Sequence, residues 1–362
     1  MKRIHLLMVG GFLGAGKTTL LWEAARQLTE RRLRVGLVTN DQAPDLVDTA
    51  WLGQRGVAVR EVAGSCFCCN YPALVAATEN LRQAAEADVL LAEPVGSCTD
   101  LSATLMQPLK NQFAAELALS PLSVVADPLR LRELLSGNST LHPDAAYILR
   151  KQLEEADVIL LNKTDLLEPQ ARRELADDLR NSLPGTEIRE ISARTGTGVA
   201  EWLDDMLARE DGGTRLAQVD YDRYANGEAV LGWLNASVLL RSADPDWTAY
   251  AQSLLQGLRD ELAKADAAIG HVKLLVSAGE EFCVANLTQA EGPVEVRGQA
   301  GTAPEASLTL NARAQIAPAE LEALVRETLA RCSGTAVVWT VANLRCFRPG
   351  RPNPTHRYDH IV

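Results

Sequence analysis

The chain of 362 residues is long enough for two domains, and its 47% hydrophobic and 23% charged residues are ordinary for a soluble globular protein. Its net charge of −11 argues against a nucleic-acid-binding surface, and the N-terminal apolar run is too short to span a bilayer, so we expect neither nucleic acid nor membrane among its partners. Seven cysteines, an odd number, favour a reducing cytoplasm over a disulfide framework.

The first two hundred residues alternate strand-like and helix-like segments, a pattern that predicts repeated βα units. The predicted strands are Ile4–Val9, Val35–Thr39, Val57–Val62, Val89–Glu93, Leu122–Ala126, Val158–Asn162 and Glu187–Ile191. The predicted helices are Leu20–Glu30, Pro72–Ala87, Ala145–Glu155 and Gln170–Asn181. Several strands are continuous apolar runs, so we expect an α/β fold with a doubly wound, mostly parallel sheet that binds its ligand at the carboxyl ends of the strands.

A turn-rich stretch, Asp211-Gly212-Gly213-Thr214, marks a boundary. We therefore expect a first domain at 1–212, a linker at 213–227 and a smaller C-terminal α+β domain at 228–362. The strands predicted in this second domain are Val230–Leu240, Val272–Val276, Phe282–Leu287, Val294–Val296, Leu308–Leu310 and Val337–Val341. Its predicted helices are Trp247–Ala263 and Pro318–Cys332. The Pro-rich tail that follows, with His356 and His360, is predicted to be extended and exposed.

The stretch G-F-L-G-A-G-K-T, which ends at Thr18, matches the phosphate-binding pattern G-x-x-x-x-G-K-[ST] between a strand and a helix. Glycines at Gly11, Gly14 and Gly16 let the backbone approach a phosphate, and the loop N–H groups form an anion nest. We expect Lys17 to reach the β- and γ-phosphates and the Thr18 hydroxyl to ligate Mg²⁺. The residues predicted to bind nucleotide here are Gly11, Gly14, Ala15, Gly16, Lys17, Thr18 and Thr19.

A second motif, N-K-T-D, begins at Asn162 after an apolar strand and predicts recognition of guanine. The Asp165 carboxylate can accept the N1–H and N2–H₂ donors of guanine, which adenine lacks, so adenine would leave it buried and unpaired. We expect Lys163 to lay its stem on the purine and Asn162 to tie the loop. Ser192 and Ala193 resemble a companion loop whose Ala193 N–H faces guanine O6, with an ordinary Gly/Thr loop as the alternative.

Carboxylates at two strand ends are candidates for holding Mg²⁺ or positioning water. Glu93 ends one apolar strand, with a capping or surface role as the alternative, and Gly96 would allow close approach to the γ-phosphate. Asp41 ends another strand, and Asp45 and Asp48 are weaker candidates. The predicted Mg²⁺ ligands are Thr18 and Glu93. The predicted catalytic residues are Lys17, Thr18, Glu93 and Asp41.

Cys66-Phe67-Cys68-Cys69 places three thiols within four residues, which predicts a transition-metal site for Zn²⁺ or Co²⁺. The helix expected to begin near Pro72 would lower the thiol pKa values through its dipole. Three thiolates leave one tetrahedral position for Cys98 or for a ligand of a second subunit. A small-residue packing run and a redox-sensing disulfide are the alternatives.

Together, the motifs G-F-L-G-A-G-K-T-T-L, C-F-C-C, E-P-V-G and N-K-T-D resemble the CobW/UreG/HypB family of metal-handling P-loop GTPases, with the CobW-like branch closest, over residues 4–210. The resemblance implies a P-loop GTPase domain and slow GTP hydrolysis coupled to delivery of a metal to a client apo-metalloprotein, with cobalamin- or corrinoid-linked enzymes among the candidate clients. It also implies that Cys66, Cys68 and Cys69 are the metal ligands and that Glu93 belongs to an E-x-x-G element. The His-rich stretch of many relatives is absent.

We expect a cytoplasmic GTPase of low intrinsic turnover, a metallochaperone or metallocentre-assembly factor in which GTP or GDP with Mg²⁺ gates a thiolate site. Low turnover is expected because no water-positioning glutamine or internal arginine finger stands out. A P-loop small-molecule kinase would instead use ATP and an Arg-rich lid, and a non-enzymatic metal or redox sensor would bind metal regardless of nucleotide. The second domain is expected to recognise the client, and shared thiolates favour a nucleotide-dependent homodimer.

Overall fold

The computed structural model describes residues 3–41, 47, 58–288 and 294–362, without the side chains of Asp41 and Glu295. The described chain divides into two compact units. Residues 3–41, 58–227 and 351–362 form the first unit, and Val47 with 228–288 and 294–350 forms the second. The sequence-predicted candidates Asp45 and Asp48 lie outside the described residues.

The first unit is built on a parallel sheet. Its strands are β1 Ile4–Gly10, β2 Val35–Asp41, β3 Ala58–Ala63, β4 Val89–Glu93, β5 Leu117–Leu119, β6 Ser123–Ala126, β7 Val158–Leu161 and β8 Glu187–Glu190. Its helices are α1 Lys17–Glu30, α2 Tyr71–Ala84, α3 Gln107–Phe113, α4 Pro128–Ser136, α5 Pro143–Glu155, α6 Pro169–Ser182, α7 Val199–Ala208 and α8 Tyr221–Ala229.

The strand order β3-β2-β4-β1-β6-β7-β8, with β5 also paired to β1, confirms the doubly wound parallel sheet. Strands β1, β4, β6 and β7 are buried along almost their whole length, as expected for strands covered by helices on both faces. Because all these strands run in one direction, their carboxyl ends share one edge of the sheet. That edge carries the segments after β1, β2, β3, β4 and β7, which include every motif identified in the first two hundred residues.

The second unit is a six-stranded antiparallel sheet in the order β12-β11-β10-β13-β9-β14. Its strands are β9 Gly232–Arg241, β10 Ile269–Ala278, β11 Glu281–Leu287, β12 Glu295–Gln299, β13 Glu305–Ala314 and β14 Val338–Phe347. Its helices are α9 Trp247–Lys264 and α10 Pro318–Ser333. Both helices bury their apolar faces against one face of the sheet, which confirms the predicted α+β fold.

Val47 packs on the sheet of the second unit although it lies between β2 and β3 in the sequence. Its side chain contacts Leu275 and Val284, and its N–H donates to the Asn311 side chain at 2.8 Å. Leu275 alternates along β10 with the residues that face the helices, so Val47 lies on the opposite face of the sheet. The sequence does not predict this pairing, because a single apolar residue carries no periodic pattern.

The segments on either side of the second unit differ from the expected domain boundaries. The stretch expected as a linker, 213–227, belongs to the first unit and contains most of α8. Residues 351–362, expected as an exposed tail of the second domain, also pack on the first unit. Helix α3 was missed because the preceding π-helical turn Ser102–Met106 and the first three residues of α3 are all buried, so this stretch has no regular polar face that would indicate a helix. Within the described ranges no helix combines the length and apolar composition needed to cross a bilayer.

Glu155, at the end of α5, provides a test of the fold through pH. Its carboxylate is fully buried and accepts hydrogen bonds from the Thr99 hydroxyl at 3.0 Å and the Ser102 N–H at 2.9 Å. Burial raises the pKa of Glu155 from 4.5 to about 8, against the effect of the Ser102 hydrogen bond. The folded state therefore binds one more proton than the unfolded state between these two values.

We predict that the free energy of unfolding falls as the pH rises from about 4.5 to about 8, by up to about 1.4 kcal/mol per pH unit from this one residue. The side chain that replaces Glu155 in the variant Glu155→Gln has no proton to lose. In this variant the free energy of unfolding should therefore fall less steeply with rising pH than it does in the wild type. Urea unfolding measured at several pH values checks this, and Glu154→Gln, the partly exposed neighbour, is the matched control. If the free energy of unfolding of Glu155→Gln depends on pH in the same way as that of the wild type, Glu155 is ionised in the folded protein.

Candidate nucleotide and metal site

The phosphate-binding loop connects β1 to α1 in a conformation that requires glycine. Gly16 has a φ of +100°, and a Cβ there would collide with the Asn162 side-chain amide. Helix α1 begins at Lys17 without a side-chain cap, so no side chain competes for the N–H groups of its first turn. A helix N-terminus in this state is an anion site, and the loop fits the phosphates of a nucleotide.

Lys17, Thr18 and Glu93 are brought together although 75 residues separate Thr18 from Glu93. The Thr18 hydroxyl lies 3.2 and 3.1 Å from the two Glu93 carboxylate oxygens, and the Lys17 ammonium lies 3.8 Å from one of them. All three residues are buried. A hydroxyl and a carboxylate on a buried phosphate loop are hard oxygen donors that fit Mg²⁺.

The predicted residue Asp41 is the last residue of β2, at the same edge of the sheet. In the β2–β4 register Thr39 is paired with Glu93, so Asp41 follows two residues beyond that level. The side chain of Asp41 lies outside the described residues, and its predicted catalytic role stays a prediction.

The N-K-T-D loop after β7 is fastened to the phosphate loop. The Asn162 amide donates to the Ala15 carbonyl at 2.8 Å, and the Lys163 ammonium donates to the Gly14 carbonyl at 2.9 Å. Lys163 also pairs with Asp127 at 2.6 Å, and Asp127 caps α4. The two motifs predicted to hold the base and the phosphates therefore form one connected surface.

Asp165 is held at the edge of this surface by the loop after β8. Its carboxylate accepts a 2.6 Å hydrogen bond from the Ser192 hydroxyl and pairs with Arg194. Burial acts to raise the pKa of Asp165, but the Ser192 hydrogen bond and the Arg194 charge outweigh it and the pKa is lowered. Asp165 is therefore an ionised acceptor at neutral pH, as recognition of the guanine N1–H and N2–H₂ requires.

Ser192 and Ala193 are both buried beside the N-K-T-D loop, as their predicted role requires. The Ala193 N–H, expected to face guanine O6, donates instead to the Asn162 side chain at 2.9 Å. The same Asn162 side chain thus joins the loop after β8 to the phosphate loop. The sequence could not predict this contact because it depends on how closely the two loops approach.

The three cysteines of the C-F-C-C motif form a compact cluster between β3 and α2. The sulfur atoms of Cys66, Cys68 and Cys69 all lie within 4.8 Å of one another, and those of Cys66 and Cys68 are 3.0 Å apart. A tetrahedral zinc thiolate with Zn–S bonds near 2.3 Å has sulfur atoms about 3.8 Å apart, so a small expansion of the cluster accommodates the ion. Cys66 and Cys68 are buried, whereas Cys69 is partly exposed.

Hydrogen bonds among the three thiols shift their pKa values in opposite directions. Donation from Cys68 and Cys69 lowers the pKa of Cys66 well below its ordinary value. The same interaction raises the pKa of Cys68 well above it and raises the pKa of Cys69 to about 11. These shifts favour ionisation of Cys66 before Cys68 and Cys69, and a metal ion binding here would displace the thiol protons that remain.

Asn40, near the end of β2, positions the cluster and was not identified as functional from the sequence. Its amide donates to the carbonyls of Val62 at 2.7 Å and Ser65 at 2.9 Å, and its oxygen accepts the Phe67 N–H at 2.8 Å. The loop that carries the thiols is therefore fixed to the strand next to β4. The sequence did offer a signal for Asn40, a polar side chain near the end of an apolar strand. Such a side chain is buried and needs hydrogen-bond partners, which indicates a positioning role.

Residues 351–362, which we term the C-terminal strap, lie across the cysteine loop. The Thr355 N–H donates to the Cys68 carbonyl at 2.8 Å, and the Asn353 N–H lies 3.2 Å from the Cys69 sulfur. The Arg357 guanidinium pairs with the fully buried Asp100 at 2.7 Å. The strap is extended, as predicted, but it is held by these contacts.

His356 and His360 differ in their surroundings within the strap. The His356 ring packs edge-on against Tyr71 at the start of α2, with ring centroids 4.9 Å apart, and is partly buried. The sequence-based expectation of an exposed residue is therefore wrong for His356, because the strap is seated on α2. His360 is exposed, as expected.

Comparison with known proteins identifies the family. The family model described as CobW/HypB/UreG, nucleotide-binding domain, matches residues 5–189. Zinc chaperone YeiR of Escherichia coli is 29% identical over 179 residues, covering 48% of this chain and 50% of YeiR. Zinc chaperone YjiA of the same organism is 26% identical over 171 residues, covering 46% of this chain and 51% of YjiA. A solved structure of HypB from Helicobacter pylori in complex with nickel is 16% identical, with a TM-score of 0.42, and covers 60% of this chain and 91% of that chain.

The chain belongs to the CobW/HypB/UreG family, since the family model covers more than half of its 362 residues. The matched residues include the phosphate loop, the C-F-C-C motif and the N-K-T-D loop, all three of which lie in the first unit. The chain spans about half the length of the curated relatives it matches.

We predict that Asp165→Asn weakens GTP binding about 10- to 100-fold, because hydrogen bonds to a charged acceptor contribute about 1.5–3 kcal/mol. An asparagine amide can donate to the C2 carbonyl of xanthine, so the variant should prefer xanthosine over guanosine triphosphate. Fluorescence titration with labelled guanine, adenine and xanthine nucleotides measures the change. The exposed Asp177→Asn is the matched control, and unchanged GTP affinity in Asp165→Asn would remove the N-K-T-D loop from base recognition.

We predict that Arg357→Ala loosens the C-terminal strap and speeds alkylation of Cys69, since the rate depends on access to the thiol. Iodoacetamide labelling followed by mass spectrometry, on folded metal-free protein, measures the rate at each cysteine. Arg351→Ala is the control within the strap, because its ion pair with Asp222 is exposed and contributes little. Equal Cys69 rates in the two variants would mean that the Arg357–Asp100 pair does not hold the strap.

Proposed function

We propose that this protein is a GTP-dependent metallochaperone or metallocentre-assembly factor, in which the bound nucleotide controls a thiolate site that carries Zn²⁺ or Co²⁺ to a client apo-metalloprotein. The observation that carries the proposal is the position of the thiol cluster. It lies at the same sheet edge as the phosphate loop, in a loop tied by Asn40 to β2, and β2 is hydrogen-bonded to the strand that ends in Glu93.

In this proposal Lys17 and the N–H groups at the start of α1 hold the β- and γ-phosphates and stabilise the charge that develops during hydrolysis. Thr18 and Glu93 are the Mg²⁺ ligands, and the ion would neutralise charge between the β- and γ-phosphates. Asp41 is the candidate for positioning water. Turnover is low in the isolated protein and rises when the metal or the client completes the site.

Base selection depends on Asp165, whose carboxylate is ionised and already fixed in direction by Ser192. Guanine offers two donors to this acceptor, and adenine offers none at the same place. This favours GTP over ATP, and so favours a GTPase over a small-molecule kinase.

The metal in this proposal is cargo. Three sulfur donors suit Zn²⁺ or Co²⁺ rather than the hard cation of the nucleotide site. The E. coli relatives YeiR and YjiA are named zinc chaperones, which favours Zn²⁺ as the first ion to test. The partly exposed Cys69 provides the side from which a client ligand would reach the ion.

The second unit is the candidate for client recognition, because its sheet and helices contribute none of the nucleotide or thiol residues described above. The client class, with cobalamin- or corrinoid-linked enzymes among the candidates, follows from family resemblance only. A nucleotide-dependent homodimer and a cytoplasmic location complete the proposal. Light scattering with a GTP analogue and zinc present distinguishes the dimer from a monomer.

We predict that Zn²⁺ affinity differs between the GDP-bound protein and the protein bound to a non-hydrolysable GTP analogue. Coupling between two sites in one protein typically changes affinity about 5- to 150-fold. Isothermal titration calorimetry with Zn²⁺, and separately with Co²⁺, measures the ratio. The combined variant Cys66→Ser, Cys68→Ser and Cys69→Ser should lose the nucleotide-dependent binding.

A matched control is the combined variant Cys283→Ser, Cys332→Ser and Cys346→Ser, which removes three free thiols from the second unit. It should retain wild-type metal affinity and nucleotide dependence. Tight metal binding that is indifferent to nucleotide would instead support a metal sensor. Absence of metal binding, with reversible oxidation of Cys66 and Cys68, would support a redox role for the cluster.

A further inference from the structure

A fourth thiol, Cys98, lies against the C-F-C-C cluster although it belongs to a different segment of the chain. Its sulfur is within hydrogen-bonding contact of both Cys66 and Cys68. It is 1% exposed, in the same buried environment as those two residues. From a second chain segment, Cys98 therefore hydrogen-bonds to the two buried thiols of the cluster, Cys66 and Cys68.

The segment that carries Cys98 begins at Glu93, where β4 ends. Between them Gly96 lies over the phosphate loop, where a Cβ would stand 2.7 Å from the Leu13 side chain and 3.0 Å from the Lys17 ammonium. A nucleotide phosphate held by Lys17 thus has Gly96 as an immediate neighbour. Cys98 follows only two residues later.

Gln152, on α5, ties these two positions together. Its side-chain amide donates to the Gly96 carbonyl at 3.1 Å and to the Cys98 carbonyl at 2.7 Å. Gln152 is fully buried, so it has no solvent to exchange these hydrogen bonds with. The carbonyls of Gly96 and Cys98 are therefore held by the same buried side chain, which couples their positions.

We propose that Cys98 is the fourth ligand of the thiol cluster, and that the segment Glu93–Cys98 makes its participation depend on the nucleotide. The inference deepens the proposed metallochaperone function and rests on it. Three thiols then come from the loop after β3 and one from the segment that follows β4. Movement of Glu93 and Gly96 around the γ-phosphate changes the number of sulfur ligands between four and three.

In a site of this kind the metal ion is exchanged from the side that reaches the surface. Cys66, Cys68 and Cys98 are buried, and Cys69 is the member that reaches the surface under the strap. Withdrawal of Cys98 opens a coordination position while the ion remains on the other three sulfurs. A client thiolate or imidazole then takes that position, and no step requires the bare ion to pass through solvent.

The test counts sulfur ligands by zinc X-ray absorption spectroscopy of the full-length protein loaded with one equivalent of Zn²⁺. Wild type, Cys98→Ala and the matched control Cys283→Ala, which removes a fully buried thiol from the second unit, are compared with GDP and with a non-hydrolysable GTP analogue. Calorimetric Zn²⁺ affinities are measured on the same samples. Cys98→Ser is a second variant that keeps a small polar side chain if the alanine variant folds poorly.

We expect four sulfur ligands in one nucleotide state of the wild type and three in the other. Cys98→Ala should show three in both states, and its ratio of affinities between the two states should fall towards one. Cys283→Ala should behave as wild type. In Co²⁺ absorption spectra Cys98→Ala should lose the four-thiolate tetrahedral bands, and Cys283→Ala should keep them.

An unchanged sulfur count in Cys98→Ala, with wild-type nucleotide dependence retained, would overturn the inference and leave the metallochaperone function standing. An imidazole ligand in the wild type that disappears in His356→Ala would overturn it by assigning the fourth position to the strap. If Cys98→Ala loses one sulfur ligand but keeps the wild-type ratio of Zn²⁺ affinities between the two nucleotide states, the proposed dependence of Cys98 on the nucleotide is wrong. Absence of zinc binding by the wild type would refute both proposals.

Discussion

Burial of Glu93 beside Thr18 and Lys17 is the constraint around which the first unit is organised. A carboxylate at a strand end in the middle of a parallel sheet is costly to bury unless it is paired and hydrogen-bonded. The Thr18 hydroxyl and the Lys17 ammonium supply those partners here, and both come from the first turn of α1, directly after the phosphate loop that follows the neighbouring strand β1. The sheet pairing of β1 with β4 and the loop conformation set by Gly16 are both needed to bring the three groups together.

From Glu93 onwards one short stretch of chain reaches the phosphate loop, the thiol cluster and the C-terminal strap. Gly96 approaches the phosphate loop, Cys98 reaches the thiols, and Asp100 receives Arg357 from the strap. Asp100 adopts a φ of +65°, unusual for a residue other than glycine, so the chain is bent there. Such bending is retained only where surrounding contacts hold it, and the ion pair between the buried Asp100 carboxylate and the exposed Arg357 is one of them.

The nucleotide site and the thiol cluster lie in different stretches of the chain, and their donor atoms favour different metal ions. The nucleotide site offers hard oxygen donors and a helix N-terminus, whereas the thiol cluster offers polarizable sulfur. An ion suited to one site is therefore poorly suited to the other. The proposed function, with a transition metal as cargo and Mg²⁺ at the nucleotide, needs this distinction, and the two donor sets provide it without any shared ligand.

The sequence by itself determined the local motifs and most of the elements. Contiguous spacing defines the phosphate loop and the C-F-C-C run, a continuous apolar run predicted the strand Val89–Glu93, and the predicted helix Trp247–Ala263 ends within one residue of α9. The tertiary structure alone decided which distant segments meet: Asn40 on the cysteine loop, Val47 on the second sheet, Cys98 against Cys66, and the strap across Cys69. Motif spacing and hydrophobic period report interactions between residues near in sequence, whereas these contacts join residues tens to hundreds of positions apart and depend on the packing of the whole unit.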